Sequence, residues 1–212
     1  MNRNYQKELD ILLAKEEIRG KRLFLHSCCA PCSSYVLEYL SRFFFITVFY
    51  YNPNITMEQE YRKRMEEQKR LIDAYNSRKE LPFPIEYVDG DYQTECFFEA
   101  VKGLESCPEG GERCLACYEL RLRETARKAA EGGYDFFTTT LTISPLKNAA
   151  KLNEIGERLA EEAGVVWLPS DFKKKDGYKR SLALSAEYGL YRQDYCGCIF
   201  SKAERERQKQ ED

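Results

Sequence analysis

Short apolar runs alternate with longer amphipathic segments along most of the chain, and this alternation strongly limits the folds that the sequence can adopt. The apolar and β-branched runs predict strands at residues 21–26, 43–51, 83–88, 134–141 and 165–168. The other segments predict helices at residues 5–20, 31–40, 97–101, 114–131, 147–163 and 180–188, and one between Thr56 and Pro82. Thr56 and Gln59 form the pattern of a capping box at the start of that helix. Strands that alternate with helices form a parallel sheet covered on both faces, so we expect an α/β fold of about five strands with a helical C-terminal addition.

The chain is expected to form a single domain over residues 1–212, because it contains no internal repeat and no low-complexity linker. No apolar run approaches the roughly 20 residues that span a bilayer. The N-terminal segment is polar and lacks the apolar centre of a signal peptide. We therefore expect a cytoplasmic protein with no membrane partner.

The chain has nine cysteines, and seven of them fall into three short groups. In a reducing compartment such groups indicate metal binding or redox chemistry rather than structural disulfides. The first group follows the first predicted strand, at the edge of the sheet where sites form in folds of this class. The groups are Cys28, Cys29 and Cys32; Cys114 and Cys117; and Cys196 and Cys198, whereas Cys96 and Cys107 stand apart.

Adjacent cysteines bind different irons of one cluster more easily than a single tetrahedral zinc ion. We therefore predict a [4Fe-4S] cluster with four thiolate ligands, namely Cys28, Cys29, Cys114 and Cys117. Two interpretations remain for the other three thiols. Cys196 and Cys198 could form a readily reduced disulfide with a catalytic role, or they could join Cys32 in binding an additional mononuclear iron.

Several polar residues follow the predicted strands and are candidates for substrate binding. The net charge is only -2, so a nucleic-acid partner would need a local basic patch. The basic segment 171–180 is the best candidate for such a patch. Most charge runs, however, are simply solvated. A Gly-rich phosphate loop after the first strand is absent, which disfavours ATP chemistry. The substrate candidates are Asn52, Arg64, Thr140, Lys173, Lys174, Tyr178 and Arg180. His26, the one histidine, is either a structural residue or a proton donor, as Asp194 and Tyr195 could also be.

Five motifs together resemble the QueH-type epoxyqueuosine reductases. They are HSCCAPC at 26–32, YNPNI at 51–55, EGGERCLAC at 109–117, TTTLT at 138–142 and YRQDYCGC at 191–198. The resemblance implies a Rossmann-like HUP fold over residues 22–201, with residues 1–21 as an N-terminal helix and 202–212 as a charged tail. It also implies that Cys28, Cys29, Cys114 and Cys117 hold the cluster, that Cys196 and Cys198 are redox-active, and that Cys32 occupies a position where the family has either Cys or Asp.

The implied reaction is the last step of queuosine biosynthesis, in which the epoxide of epoxyqueuosine at the wobble base of a tRNA is reduced to an alkene. Such an oxidoreductase needs tRNA as its substrate and an electron donor that the sequence does not identify. The alternatives are an iron–sulfur enzyme that thiolates tRNA and a zinc-stabilised RNA-binding module.

Overall fold

The computed structural model describes residues 3–78 and 81–211, which form five parallel strands and eight α-helices. The strands are β1 (Lys21–His26), β2 (Phe44–Tyr50), β3 (Ile85–Asp89), β4 (Phe136–Thr139) and β5 (Val166–Trp167). The helices are α1 (Tyr5–Leu13), α2 (Ala30–Leu40), α3 (Glu58–Asn76), α4 (Thr94–Ala100), α5 (Glu112–Glu131), α6 (Ala149–Ala163), α7 (Gly177–Glu187) and α8 (Ile199–Glu211). Two 3-10 helices, Glu16–Ile18 and Thr140–Ile143, complete the described elements.

The sheet has the order β3-β2-β1-β4-β5, with all neighbouring strands parallel. This confirms the predicted α/β class. The chain reverses its direction of winding beside β1, which pairs with both β2 and β4. The carboxyl end of a strand at such a switch point borders a crevice, and here that strand leads directly into the first group of cysteines.

Helices cover both faces of the sheet. Successive residues of a strand point to opposite faces, so the apolar residues of each face need a covering layer. In β1, Leu23 and Leu25 belong to a core that also contains residues of α1, α2 and α3. Phe24 points to the opposite face and packs in a second core with residues of α5 and α6. None of the described helices has the length and apolar character needed to cross a membrane.

The predicted boundaries are wrong at three places. The helix predicted for residues 5–20 ends at Leu13, because the backbone becomes extended at Lys15 before a short 3-10 helix begins. The last two residues of the strand predicted for 134–141 belong to a 3-10 helix, where the Thr139 hydroxyl accepts a hydrogen bond from the Leu141 N–H at 3.1 Å. The predicted helix at 97–101 instead starts at Thr94.

The predicted capping box at Thr56 is also absent. The residue before α3 is Met57, and no side chain caps the helix. The Thr56 hydroxyl has no hydrogen-bond partner among the described residues, while the Thr56 N–H donates to the carbonyl of Gly197 at 3.3 Å. The start of α3 therefore supports the C-terminal Cys-Gly-Cys segment rather than forming a local cap.

Candidate metal and redox centre

The three cysteines after β1 form the most compact thiol group in the described chain. The sulfur atoms of Cys28, Cys29 and Cys32 all lie within 4.8 Å of one another, and those of Cys28 and Cys29 are 3.8 Å apart. Two thiolates bound to one tetrahedral ion with bonds of about 2.3 Å are ~3.8 Å apart. The turn can therefore hold metal with its own thiols, and Cys32 belongs to this group rather than standing outside it.

Buried polar contacts fix the shape of this turn. The hydroxyls of Ser27 and Ser33 both donate to Gln68 Oε1, at 2.7 and 2.8 Å. The Asn52 amide donates to the Ser27 carbonyl at 2.8 Å, and the Cys28 N–H donates to the Thr140 hydroxyl at 3.3 Å. Elements that follow three different strands therefore hold the sulfur atoms in place.

The other four grouped cysteines line a second cavity, next to the first. Cys114, Cys117, Cys196 and Cys198 face this space, whereas the larger cavity of about 300 Å³ is lined by the three-cysteine turn and again by Cys196. Cys196 thus borders both spaces. Cys96 and Cys107 line neither of them, and none of the nine cysteines forms a disulfide in the described structure.

Each thiol group lies at the amino end of a helix. Cys29 is the N-cap residue of α2, and Cys114 is the third residue of α5, as predicted. Cys198 immediately precedes α8, and its sulfur accepts a hydrogen bond from the Ser201 N–H at 3.4 Å. Helix amino ends carry partial positive charge and free N–H groups, so three of them favour negatively charged sulfur.

The pKa values within the first group are shifted in opposite directions by the contacts between its sulfurs. The pKa of Cys28 is well below its usual range, because Cys29 and Cys32 donate hydrogen bonds to its sulfur. The same contacts raise the pKa of Cys29 and of Cys32. Cys28 is therefore the most acidic of the three thiols, and a metal ion bound by the turn would displace the protons that the group still carries.

Three thiols of the second cavity, those of Cys114, Cys117 and Cys198, have raised pKa values in the absence of a metal. Burial raises the pKa of Cys117 to about 12 and that of Cys198 to about 11, and it also raises the pKa of Cys114. Buried thiols in such surroundings are inert until a cation displaces the proton. Their environment therefore suits ligands of a resident metal centre.

Two buried arginines place positive charge beside the thiols. Arg121 has 1% of its surface exposed and donates to Asn52 Oδ1 at 2.6 Å, to His26 Nε2 at 3.3 Å and to the Cys117 sulfur at 3.9 Å. Arg64, also buried, pairs with Glu60 at 2.7 Å and donates to the Cys196 carbonyl at 3.0 Å. Arg121 is not among the residues predicted for the site, although it lies four residues after Cys117 and so shares one face of α5 with it.

The predicted substrate residues do not all reach the cavities. Asn52 and Thr140 are buried and support the cysteine turn, so the structure does not place them against a substrate. Arg64 and Tyr178 do line the larger cavity. Lys173 and Lys174 both contact Asp171, and Arg180 pairs with Glu38 at 2.5 Å, so carboxylates of the protein already balance these charges.

Two of the three predicted proton donors are unsuited to that role. His26 is fully buried, lines neither cavity, and has its pKa lowered to about 3 by burial and by the charge of Arg121. Asp194 lines the larger cavity, but its contact with Lys209 lowers the pKa of the carboxyl and keeps it ionised. Tyr195 also lines that cavity, beneath the guanidinium of Arg64.

Replacing Gly197 by alanine should displace both cysteines that flank it and lower activity at least tenfold. Gly197 has φ +129°, a conformation that costs a residue with a side chain about 1–3 kcal/mol, and an added Cβ would lie 2.8 Å from Ile55 Cγ1 and 3.3 Å from Arg64 Nη1. The matched control is Gly189→Ala, where φ is also positive but nothing lies within 4 Å. Activity and thermal unfolding of both variants test this, and equal effects would contradict it.

The fold and the site together define a class: a Rossmann-like α/β protein with a compact thiol group, suited to metal binding, at the carboxyl edge of its sheet. The model of the family described as "Epoxyqueuosine reductase QueH" matches residues 23–204. The chain therefore belongs to the QueH family of epoxyqueuosine reductases. This confirms the resemblance seen in the motifs and the class of enzyme, in preference to a thiolating enzyme or a zinc module.

Individual relatives agree with the family match. A protein named "Epoxyqueuosine reductase QueH" from Staphylococcus epidermidis is 41% identical over 202 residues, which cover 93% of this chain and 84% of the relative. One of the same name from Streptococcus pyogenes is 42% identical, covering 88% of this chain and 72% of the relative. A third, from Thermotoga maritima, is 35% identical, covering 86% and 91%.

Proposed function

We propose that this protein reduces epoxyqueuosine to queuosine at the wobble base of tRNA, as the last step of queuosine biosynthesis in the cytoplasm. The observation that carries the proposal is the arrangement of seven thiols around two adjoining cavities, one of them large enough for part of a nucleoside. Family membership supports the same reaction.

The donor set fits an anionic iron–sulfur cluster. Sulfur ligands suit iron–sulfur chemistry, three helix amino ends favour negative charge, and the buried guanidiniums of Arg64 and Arg121 add positive charge beside the thiols. We propose a [4Fe-4S] cluster with four ligands, Cys28, Cys29, Cys114 and Cys117. Such a cluster would supply electrons one at a time.

Two roles are proposed for the remaining thiols, which are those of Cys32, Cys196 and Cys198. The position of Cys196 between the two cavities supports both roles equally. As a dithiol, Cys196 and Cys198 would store an electron pair and be reduced again by an external electron donor. As ligands, they would join Cys32 around an additional mononuclear iron. The Arg64 guanidinium holds the Cys196 carbonyl at 3.0 Å and would fix the segment in either case.

The mouth of the larger cavity is the proposed entry for the modified base. Tyr178 and Arg192 both line this cavity, where the tyrosine ring offers a surface on which a base can stack and the arginine adds a positive charge. Lys173, Lys174 and Arg180 remain proposed contacts for tRNA phosphates. To act in this way they would have to exchange their present carboxylate partners for phosphate.

Anaerobic turnover tests the proposed function. The protein is reconstituted with iron and sulfide and incubated with a chemical reductant and tRNA that carries epoxyqueuosine. We expect the nucleoside to lose one oxygen atom, as measured by mass spectrometry of the digested tRNA, without consumption of ATP. A protein that contains its full complement of iron and sulfide but converts no epoxyqueuosine would refute the proposal.

A further inference from the structure

The two cavities of the site share a boundary, and two residues form it. Among residues 3–78 and 81–211, Cys196 and Glu109 are the two that line both the larger and the smaller cavity. Cys198 lines only the smaller one. The positions of Cys196 and Glu109 therefore decide how the two spaces adjoin.

One buried residue, Ser201, binds both residues of this boundary. Ser201 is the third residue of α8 and has 2% of its surface exposed. Its hydroxyl oxygen accepts a hydrogen bond from the Cys196 N–H at 3.0 Å, and the hydroxyl donates one to Glu109 Oε2 at 3.0 Å. The Ser201 N–H also donates to the Cys198 sulfur at 3.4 Å. Ser201 therefore holds both cysteines of the segment 196–198 together with the carboxylate that shares the boundary with Cys196.

The hydroxyl of Ser201 does not bond within its own helix, as helical serines commonly do. Such a serine usually donates to the carbonyl three or four residues before it, as Ser185 does to Ser181 at 2.7 Å. The carbonyl four residues before Ser201 is that of Gly197, which instead accepts the Thr56 N–H at 3.3 Å. The Ser201 hydroxyl is thus left to bond two groups outside α8.

The loop that carries Glu109 is attached to α8 at a second point. The Glu109 N–H donates to Glu204 Oε2 at 3.1 Å, and Glu204 also pairs with the Arg113 guanidinium at 2.9 Å. Glu204 lies three residues after Ser201 and so on the same face of α8. Arg113 is buried and directly precedes Cys114. The amino-terminal part of α8 thus connects the Cys-Gly-Cys segment with the loop and the helix that carry the other thiols of the smaller cavity.

We propose that Ser201 is a positioning residue for the reductase reaction, which fixes Cys196 and Glu109 at the boundary between the cavities. The inference rests on the proposed function, in which Cys196 is either a redox thiol or an iron ligand. In both roles its sulfur has to stay in place beside both cavities, and a misplacement of about 1 Å can cost about 10²-fold in rate. Ser201 acts only through its contacts and takes no part in the transfer of electrons or protons.

The test compares the reconstituted wild type with Ser201→Ala, which removes the hydroxyl but keeps the N–H that faces Cys198. We expect kcat to fall about tenfold or more, with KM for tRNA changed by no more than about threefold and with unchanged iron and sulfide content. Hydrogen exchange of the Cys196 amide should become about two- to tenfold faster, because its hydrogen bond is lost. Mass spectrometry of peptides that contain Cys196 measures this rate independently of turnover.

Further variants separate the contact from a general loss of packing. Ser201→Thr keeps the hydroxyl and should retain more of kcat than Ser201→Ala. Glu109→Gln keeps an oxygen that can accept the Ser201 hydrogen bond, whereas Glu109→Ala does not, so the alanine variant should be the slower of the two. The effects of Ser201→Ala and Glu109→Ala on kcat should combine to less than their product, because both variants break one contact.

Ser41→Ala is the matched control. Ser41 is buried at the end of α2, and its hydroxyl has no hydrogen-bond partner within the described part of the chain. This variant should therefore keep both the kcat of the wild type and its exchange rate at Cys196.

Three results would overturn the assignment of Ser201. Ser201→Ala could keep kcat within about twofold of the wild type, exchange at Cys196 could stay at the wild-type rate, or loss of iron and sulfide could account for the whole defect. Fully multiplicative effects of Ser201→Ala and Glu109→Ala would also contradict it. A wild type without turnover would instead refute the proposed function, and the exchange rate would then still decide whether Ser201 holds Cys196.

Discussion

Replacing Cys28 by serine should remove the metal centre and lower reductase activity by well over 100-fold. Cys28 belongs to the compact thiol group, and its pKa lies below its usual range because Cys29 and Cys32 donate hydrogen bonds to it. A serine hydroxyl keeps the shape of the side chain but does not ionise near neutral pH, so it cannot replace a thiolate. Changes to groups that only support metal ligands already cost about 10–100-fold. Iron and sulfide content and turnover of the reconstituted variant measure the effect.

Cys96→Ser is the matched control for this experiment. Cys96 is half-buried on α4, lies 3.6 Å from Gln93 Oε1 and lines neither cavity, so the variant should keep both metal and activity. Cys32→Ala adds a further comparison. If four other thiols hold the cluster, this variant keeps four irons with their sulfide, whereas it loses iron if Cys32 binds an additional ion. A Cys28→Ser protein with the iron content of the wild type would contradict the role of Cys28.

Much of the sheet could be predicted from the sequence because its strands are apolar runs with few other interpretations. The buried strand that follows α2 was placed within one residue at each end, since seven consecutive apolar or β-branched residues fit only a strand covered on both faces. The end of β4 was harder to place. Threonine favours strands, but here the hydroxyl of Thr139 instead closes a 3-10 turn.

The cysteines of the site were predictable, whereas the cations around them were not. Cysteine groups are rare enough to be conspicuous, and strand order brings them to one edge. Charged residues are common and usually exposed, as Arg123 is on the same helix as the buried Arg121. Only the packing of α5 against the sheet distinguishes the two, and single-sequence patterns do not contain that information.

The free positive charge of the basic segment at 171–180 is also not apparent from the sequence. Its charges are predicted to bind phosphate, but two of them have carboxylate partners from distant parts of the chain. Glu38 on α2 pairs with Arg180, and Asp10 on α1 pairs with Lys175. A local charge count therefore overestimates the free positive charge of this surface, because the fold brings acidic side chains to it.

Replacing Arg121 by methionine should destabilise the metal-loaded protein much more than the metal-free protein. The guanidinium is buried, and no described carboxylate pairs with it. Burial lowers the pKa of Arg121, but the negative charges of Cys117, Cys196 and Cys28 outweigh that effect and raise it. In the metal-free protein the Cys117 thiol keeps its proton, so the loss of the Arg121 hydrogen bond to Asn52 is partly offset by the removal of a buried charge without a carboxylate partner.

The same variant should make the reduction potential of the proposed cluster more negative. A nearby positive charge stabilises the more negative, reduced state, and its removal therefore disfavours reduction. At an effective dielectric constant of about 20, a unit charge about 8 Å away contributes roughly 2 kcal/mol, or about 90 mV for one electron. Redox titration followed by visible or EPR spectroscopy measures this shift, and thermal unfolding with and without metal measures the difference in stability.

Two controls separate charge from packing at this position. Arg121→Lys keeps the positive charge without the planar group that reaches Asn52, His26 and Cys117 together, so its potential should lie closer to that of the wild type. Arg123→Met removes an exposed charge on the same helix, paired with Glu119 and Glu162 at 2.5 Å, and should leave the potential unchanged. If Arg121→Met left the potential within about 20 mV of the wild type, the charge of Arg121 would be screened from the metal centre at that dielectric constant. The residue would then act on the site only through the hydrogen bond that fixes Asn52 beneath the cysteine turn.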